Sequence, residues 1–160
     1  MPNYKKRSQK REKKIAKDIG GRTTPGSGSL WYQKSDAYSE HLRIEDKFTD
    51  ADSFRIQYSI LNKIEKEAFT TDKIPVLSLG FTQSKENYAI IRKLDCIKVY
   101  DLPVFSTGNK SYLLKNDCMR TLYLKSKGIM LFEIMFNFYN KSYYVMTWKD
   151  LVENQDIFLI

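Results

Sequence analysis

Histidine and cysteine are scarce in this sequence, and their scarcity excludes whole classes of metal site. The 160 residues include one histidine, His41, and two cysteines, Cys96 and Cys118. Two cysteines so far apart form no CxxC knuckle, so nitrogen and sulfur ligands are too few for a zinc finger or a zinc nuclease site. Because two cysteines could form at most one disulfide, we expect two small reduced thiols in a cytoplasmic protein.

Long apolar segments are also lacking. The most apolar run, 129–138, is interrupted by Glu133 and Asn137. It is about half as long as a helix that crosses a bilayer. The basic N-terminus is not followed by the apolar segment of a secretory signal. The sequence therefore predicts no membrane role.

Positive charge is abundant but unevenly distributed. The formal net charge is +8, and residues 1–22 contain nine lysines and arginines but only two acidic residues. Such a segment attracts a polyanion through the release of counterions, which makes nucleic acid the leading partner class. The alternative is a solvated basic tail that only keeps the protein soluble.

The length and composition predict one folded domain. Hydrophobic residues make up 42% of the chain and aromatic residues 14%, enough for a single buried core. We expect a flexible basic arm at 1–7 and one domain at 8–160. Within that domain, 111–160 has no assigned role, and dimerisation or substrate contact are the options left open.

A helix at 8–19 is predicted before Gly20 and Gly21, which are suited to end it. Its apolar stripe would be Ile15, Ala16 and Ile19, and Glu12 lies on or beside that stripe. A carboxylate in this place needs a partner. Two interpretations stay open, an ion pair with a lysine of the same helix or a contact to a metal ion or water.

The next segment, 22–29, is rich in glycine and serine and could expose N–H groups and hydroxyls to a phosphate. It lacks the Lys-Ser/Thr ending and the following helix of a P-loop, so it does not indicate nucleoside triphosphate binding. Residues 30–37 and 41–48 then resemble the two strands of a hairpin. Period-two alternation places Glu45 and Lys47 on one face of the second strand and Asp46 on the other, apolar face.

A capping-box pattern at 49–52 predicts a helix that continues to about residue 69. Gln57 is the polar member of its apolar stripe, so it either reaches back to the preceding strand as a supporting site residue or lies at the edge of the core. Further strands are predicted at 75–81, 88–92, 96–100, 129–138 and 143–148, with a short helix at 148–154. A buried helix is the alternative for 129–138. The fold class expected is α/β, with a mixed β-sheet flanked by helices.

Asp36, Glu45 and Lys47 form the most informative constellation. Asp36 precedes Glu45 by nine residues and can approach it across the hairpin. Carboxylate oxygens and a main-chain carbonyl, that of Asp46, can hold Mg²⁺, with Mn²⁺ as a substitute, while an ammonium contacts the attacking water or a phosphate. The constellation thus predicts hydrolysis of a phosphodiester.

This order of residues resembles the PD-(D/E)xK nuclease superfamily, and within it the Holliday junction resolvases of archaea and phages. The resemblance covers about 12–69, with plausible core strands to residue 92, and has two departures. Ser35 stands where the motif name has proline, and Asp46 occupies a position that is usually apolar. The residues that carry the resemblance are Glu12, Gly26-Ser27-Gly28-Ser29, Asp36 and Glu45-Asp46-Lys47.

The resemblance implies a restriction-endonuclease-like fold and a homodimeric, magnesium-dependent hydrolase of DNA recombination and repair in a phage or prokaryotic cell. Its catalytic residues would be Glu12, Asp36, Glu45 and Lys47. Asp36 and Glu45 would bind the metal with the Asp46 carbonyl, and Glu12 would be an accessory ligand. The expected contacts to four-way or otherwise branched DNA are Lys5, Lys6, Arg7, Lys10, Arg11, Lys14, Arg22, Ser27 and Ser29.

Two other functions remain open. One is a different nuclease of the same superfamily, of restriction or repair type. The other is a non-catalytic basic module that binds nucleic acid, in which Asp36, Glu45 and Lys47 are only a surface ion-pair cluster of little energetic weight. Cleavage of DNA that depends on the two carboxylates separates the last alternative from the first two.

Overall fold

The computed structural model describes residues 3–24, 36–97, 102–121, 125–126 and 129–158, with only the main chain at 120, 121, 125, 126, 129 and 130. Its helices are α1 (Tyr4–Asp18), α2 (Tyr58–Phe69), α3 (Cys118–Thr121) and α4 (Trp148–Glu153). The strands are β1 (Arg22–Thr23), β2 (Ala37–Tyr38), β3 (Leu42–Thr49), β4 (Ser53–Gln57), β5 (Ile74–Phe81), β6 (Glu86–Arg92), β7 (Val104–Thr107), β8 (Ser111–Lys115), β9 (Lys125–Ser126), β10 (Ile129–Phe136) and β11 (Lys141–Thr147).

Most strands belong to one mixed sheet, in the order β1-β2-β3-β5-β6-β11-β10-β7, with β9 also paired to β10. The β3–β5 and β10–β7 pairs are parallel, and the other pairs in this sheet are antiparallel. A separate antiparallel ribbon joins β4 to β8. The predicted α/β class with a mixed sheet flanked by helices is confirmed.

Helix α1 begins earlier than the sequence predicts. The side chain of Asn3 caps it by accepting a hydrogen bond from the N–H of Lys5 at 3.0 Å. The ring of Tyr4 stacks on Phe48 of β3, with centroids 4.8 Å apart. The expectation of a flexible arm at 1–7 is therefore wrong for residues 4–7, because the cap and the stacked ring hold the first turn on the sheet.

Two apolar clusters cover the two faces of the sheet. On one face, Ile15 and Ala16 of α1 pack with Ile44 and with residues of α4. On the other, Leu61 and Ile64 of α2 pack with β5, β6 and the β4–β8 ribbon. The outer strands supply both clusters, so β10 and β11 belong to the main core.

The region after β3 differs from its prediction. Residues 53–57 form β4, and α2 begins only at Tyr58. Ile56 of β4 is fully buried and pairs in register with Tyr112 of β8. The helical periodicity in this segment was misleading because β8, whose own pattern is weak, provides a strand partner.

The other segments with a strong apolar pattern form the predicted strands and helix. Strands β5, β6, β10 and β11 and helix α4 occupy the expected segments, so the helical alternative for 129–138 is wrong. Residue 96 makes only an isolated bridge, to Phe158, and 98–100 lie outside the described residues. Within the part of the chain that the structure describes, no helix is long and apolar enough to cross a membrane.

Candidate metal centre

Asp36 and Glu45 meet where β2 approaches β3. The register pairs Ala37 with Ile44, and just before β2 the N–H of Asp36 donates to the carbonyl of Ile44 at 2.9 Å. Here Oδ2 of Asp36 accepts a hydrogen bond from the main-chain N–H of Asp46 at 2.8 Å. The negative charge of Asp36 acts on Glu45, so the two carboxylates lie near each other.

Glu45 is a buried carboxylate with incomplete hydrogen bonding. The residue is 8% exposed, and among the described residues its Oε2 atom has no hydrogen-bond partner. Burial, and next the negative charge of Asp36, raise the pKa of Glu45 to about 7, against the opposing effect of Lys47 and Lys63. A cation beside Oε2 would favour the ionised form and supply the missing partner.

Lys47 shares a face of β3 with Glu45, as the alternation predicts. Its Nζ lies 3.3 Å from Oε1 of Glu45, and its side chain is 39% exposed. In the parallel register with β5, Lys47 pairs with Leu79 and Glu45 with Leu77. These leucines pack against α2, so Lys47 and Glu45 also lie on the α2 side of the sheet. Lys47 thus presents an accessible ammonium next to the buried carboxylate.

Glu12 belongs to α1, which packs on the face of the sheet opposite to α2. Its Oε1 accepts a hydrogen bond from the hydroxyl of Ser8 at 2.8 Å, so its described partner is a serine of its own helix rather than a lysine. Burial raises the pKa of Glu12, and the negative charges of Asp36 and Asp46 raise it further. Asp36 is thus within electrostatic reach of both Glu12 and Glu45.

The carboxylate of Asp46 is bound within the protein. Arg11 donates to it from Nε and Nη2, each at 2.8 Å, and the Ser78 hydroxyl donates to Oδ1 at 3.0 Å. The Asp46 side chain is only 2% exposed. This explains how an acidic residue is accommodated on the apolar face of β3 and leaves only its main-chain carbonyl as a predicted ligand.

The predicted DNA-binding residues of α1 divide into two groups. Arg11 is held by Asp46, and Arg7 donates to Asp50 at 2.7 Å, so both guanidinium groups are occupied by carboxylates. The outward side carries exposed lysines that include two not predicted as contacts, Lys13 and Lys17. The exposed predicted residues are Lys5, Lys6, Lys10, Lys14 and Arg22, whereas Ser27 and Ser29 lie outside the described residues.

Gln57 does not occupy the inward position that the sequence suggested. It ends β4 and caps α2 without a side-chain hydrogen bond to the helix, and it is exposed. The interpretation of Gln57 as an inward member of the α2 stripe is wrong because that stripe begins with Tyr58. Lys63 of α2, by contrast, was not predicted and acts on the charge of Glu45.

Sequence reasoning missed the partners of Asp46 because they come from distant segments. Arg11 is 35 residues away and Ser78 is 32 residues away in the chain. One signal was present: Arg11 lies four residues before Ile15, on the inward side of α1, and a buried carboxylate calls for a nearby cation. Nothing in the local pattern of β5 indicated Ser78.

The donor chemistry at Asp36 and Glu45 suits a hard divalent cation, which prefers carboxylate and carbonyl oxygens. The partnerless Oε2 of Glu45 is the specific feature that such an ion would satisfy. Across the described ranges, no group of three or more histidine, cysteine, aspartate or glutamate residues is arranged as a metal site. The fit therefore rests on the carboxylate pair, with Glu12 within electrostatic reach of Asp36.

No protein-family model matches this chain. No curated protein matches it either.

Proposed function

We propose that this protein is a magnesium-dependent DNA endonuclease that cuts branched DNA, four-way junctions in particular. The proposal is supported above all by Glu45, a buried carboxylate with a partnerless oxygen, beside the accessible ammonium of Lys47 and within electrostatic reach of Asp36. A purely structural ion pair on a surface would not need a carboxylate oxygen buried without a partner.

The order of elements also supports a restriction-endonuclease-like fold. Helix α1 precedes the β2–β3 hairpin that carries Asp36 and Glu45, and α2 leads from β4 to β5, which lies parallel to β3. The resemblance stated from the sequence rests on this same segment. We propose a restriction-endonuclease-like fold on that basis.

Each residue of the site has a chemical role in this proposal. Asp36, Glu45 and the Asp46 carbonyl would hold Mg²⁺, which supplies Lewis acidity and lowers the pKa of a bound water when present. Lys47 donates hydrogen bonds to the phosphate or orients the water, and it faces the place where negative charge develops. Glu12, whose pKa is raised by burial and by the charges of Asp36 and Asp46, would be an accessory ligand of that ion.

The lysines of α1 would bind the DNA backbone. Their ammonium groups are exposed, while the arginines Arg7 and Arg11 are held by Asp50 and Asp46. Lysine acts on phosphate as a point charge, whereas arginine is the residue that reads guanine through two parallel hydrogen bonds. This division favours contacts to phosphates over recognition of base sequence. A homodimer would let two such sites nick a junction symmetrically.

The test is cleavage of a labelled four-way junction and of a linear duplex, in Mg²⁺ and in EDTA. We expect the wild type to cut the junction only in Mg²⁺, and Asp36→Asn and Glu45→Gln to cut it on the order of 100-fold or more slowly. Glu40→Gln is the matched control, because Glu40 lies in the turn of the same hairpin and its side chain is 86% exposed.

Each other outcome selects a different function. If the wild type cuts neither DNA in Mg²⁺, or if the two variants cut as fast as Glu40→Gln, the protein is not this enzyme. Binding without cleavage by the wild type would identify a non-catalytic nucleic-acid-binding module. Equal cleavage of duplex and junction would indicate another kind of nuclease.

A further inference from the structure

A buried ion pair joins α1 to β3 behind the candidate metal centre. The guanidinium of Arg11 donates two hydrogen bonds to Asp46, each at 2.8 Å. The side chain of Arg11 is 22% exposed and that of Asp46 is 2% exposed. Two parallel hydrogen bonds from a planar group fix both the distance and the orientation of the pair.

The surroundings leave the guanidinium little freedom. Its third nitrogen, Nη1, donates to Oδ1 of Asn87 at 3.2 Å. Its carbon lies 5.5 Å from the centre of the Phe48 ring. A Cβ atom added at Gly80 of β5 would overlap the guanidinium, so this glycine provides the space in which the group lies.

Both residues of the ion pair are adjacent in the chain to residues of the candidate site. Arg11 immediately precedes Glu12 on α1, and Asp46 lies between Glu45 and Lys47 on β3. The main-chain N–H of Asp46 also holds Oδ2 of Asp36 at 2.8 Å. The ion pair thus connects the helix that carries Glu12 with the strand that carries Glu45. It also adjoins the hydrogen bond that holds Asp36.

We propose that Arg11 is a positioning residue for the reaction, which acts through Asp46 to set Glu12 and Asp36 relative to Glu45. This inference rests on the proposed nuclease function. Arg11 touches neither metal nor phosphate in this role, which separates it from the exposed lysines of its own helix. The sequence had placed it among the DNA contacts.

A buried ion pair is better suited to this role than to adding stability. The cost of desolvating two charges largely cancels their attraction, so such pairs contribute little net stability compared with apolar packing. They do restrict the geometry, and lysine cannot reproduce the planar fork of arginine. Changes in the residues that orient metal ligands typically lower metal affinity or activity about 10- to 100-fold.

Two variants disturb the pair without removing its charges. Arg11→Lys keeps the cation but loses the fork, and Gly80→Ala keeps Arg11 but displaces its guanidinium. We expect each to lower kcat on the junction about 10- to 100-fold, with the KM for DNA nearly unchanged. The second variant decides the question if Arg11→Lys fails to fold.

Two comparison variants separate positioning from loss of charge. Lys149→Met removes an exposed cation on α4, 80% exposed and far in sequence from the site, and should leave kcat and KM unchanged. Lys10→Met removes an exposed cation of α1. It should raise the KM for DNA and leave kcat near the wild-type value.

Binding of Mn²⁺, measured by the rise in Tm without DNA, gives a readout besides activity. We expect half of the maximal rise to need about tenfold more Mn²⁺ in Arg11→Lys and in Gly80→Ala than in the wild type. If the wild type cleaves DNA and both variants match Lys149→Met in kcat and in the Mn²⁺ response, the positioning role is overturned while the nuclease stands. A wild type that does not cleave overturns the proposed function itself.

Discussion

The buried carboxylate of Glu45 makes the stability of the folded protein depend on pH. Its pKa is about 7 in the folded chain, against an ordinary value of 4.5. Because the folded state holds this proton more tightly, the stabilising contribution is complete below about pH 4.5 and is lost as the pH rises through 7. The difference corresponds to roughly 3 kcal/mol when the proton is fully lost. A bound divalent cation would oppose that loss.

Glu45→Gln should therefore stabilise the protein at pH 8 and change it little at pH 4.5. The amide has a similar shape but no charge to desolvate, so the free energy of unfolding should rise at pH 8 by an amount on the order of 1 to 3 kcal/mol. Urea unfolding at the two pH values measures this. Glu153→Gln, at an exposed residue of α4, is the control, and an equal dependence on pH in all three proteins would contradict the assignment.

At the level of residues, the sequence predicts which side chains share a face better than it predicts their partners. Period-two alternation correctly places Glu45 beside Lys47 and Asp46 opposite them, because side chains alternate along any strand. The ion pair of Asp46 with Arg11 depends on how α1 crosses the sheet. That crossing is set by the packing of the whole chain, which no local pattern reports.

Helix α1 combines two properties on opposite sides. Its inward side carries Glu12, Ile15 and Ala16, and its outward side is a surface of lysines: Lys5, Lys6, Lys10, Lys13, Lys14 and Lys17. Only Lys14 of this lysine surface makes an ion pair among the described residues, with Asp18 at 2.8 Å. Such a surface should bind phosphates through charge, independently of base sequence.

Replacing Lys6, Lys10 and Lys13 together by glutamine should weaken binding to junction and duplex alike. The slope of log K against log salt concentration is negative, and each lost phosphate contact makes it shallower by about 0.9 on duplex DNA. The slope should therefore become shallower by up to roughly 3. Fluorescence anisotropy over a salt series measures it, with the Asp36→Asn protein used to prevent cleavage. An unchanged slope would show that this surface serves only solubility.

Among the elements, the long and strongly patterned ones are predictable. Strands β5, β6, β10 and β11 have continuous apolar character, and they are found where expected. Strand β4 was predicted as helix because its apolar residues also fit a helical spacing, and only its pairing with the distant β8 decides between them. Short strands such as β7 and β8 form through partners, which a single sequence does not show.

On the scale of the whole molecule, the candidate metal centre lies at the β2–β3 pair, with α1 on one face of the sheet and α2 on the other. Asp36 and Glu45 come from the hairpin, Glu12 from α1, and the nearby cation Lys63 from α2. The C-terminal strands β10 and β11 lie further across the sheet and complete the core that supports these elements. The site thus depends on the assembled fold, although its central residues occupy one short segment.

The central claim is that Asp36 and Glu45 bind a divalent cation, and a crystal structure with Mn²⁺ tests it most directly. Anomalous scattering identifies the ion by element. We expect one peak within about 2.0 to 2.6 Å of a carboxylate oxygen of Asp36 and of Oε2 of Glu45. The same soak of a Glu45→Gln crystal should lack the peak. Wild-type crystals with saturating Mn²⁺ and no anomalous peak between these two residues would contradict the account.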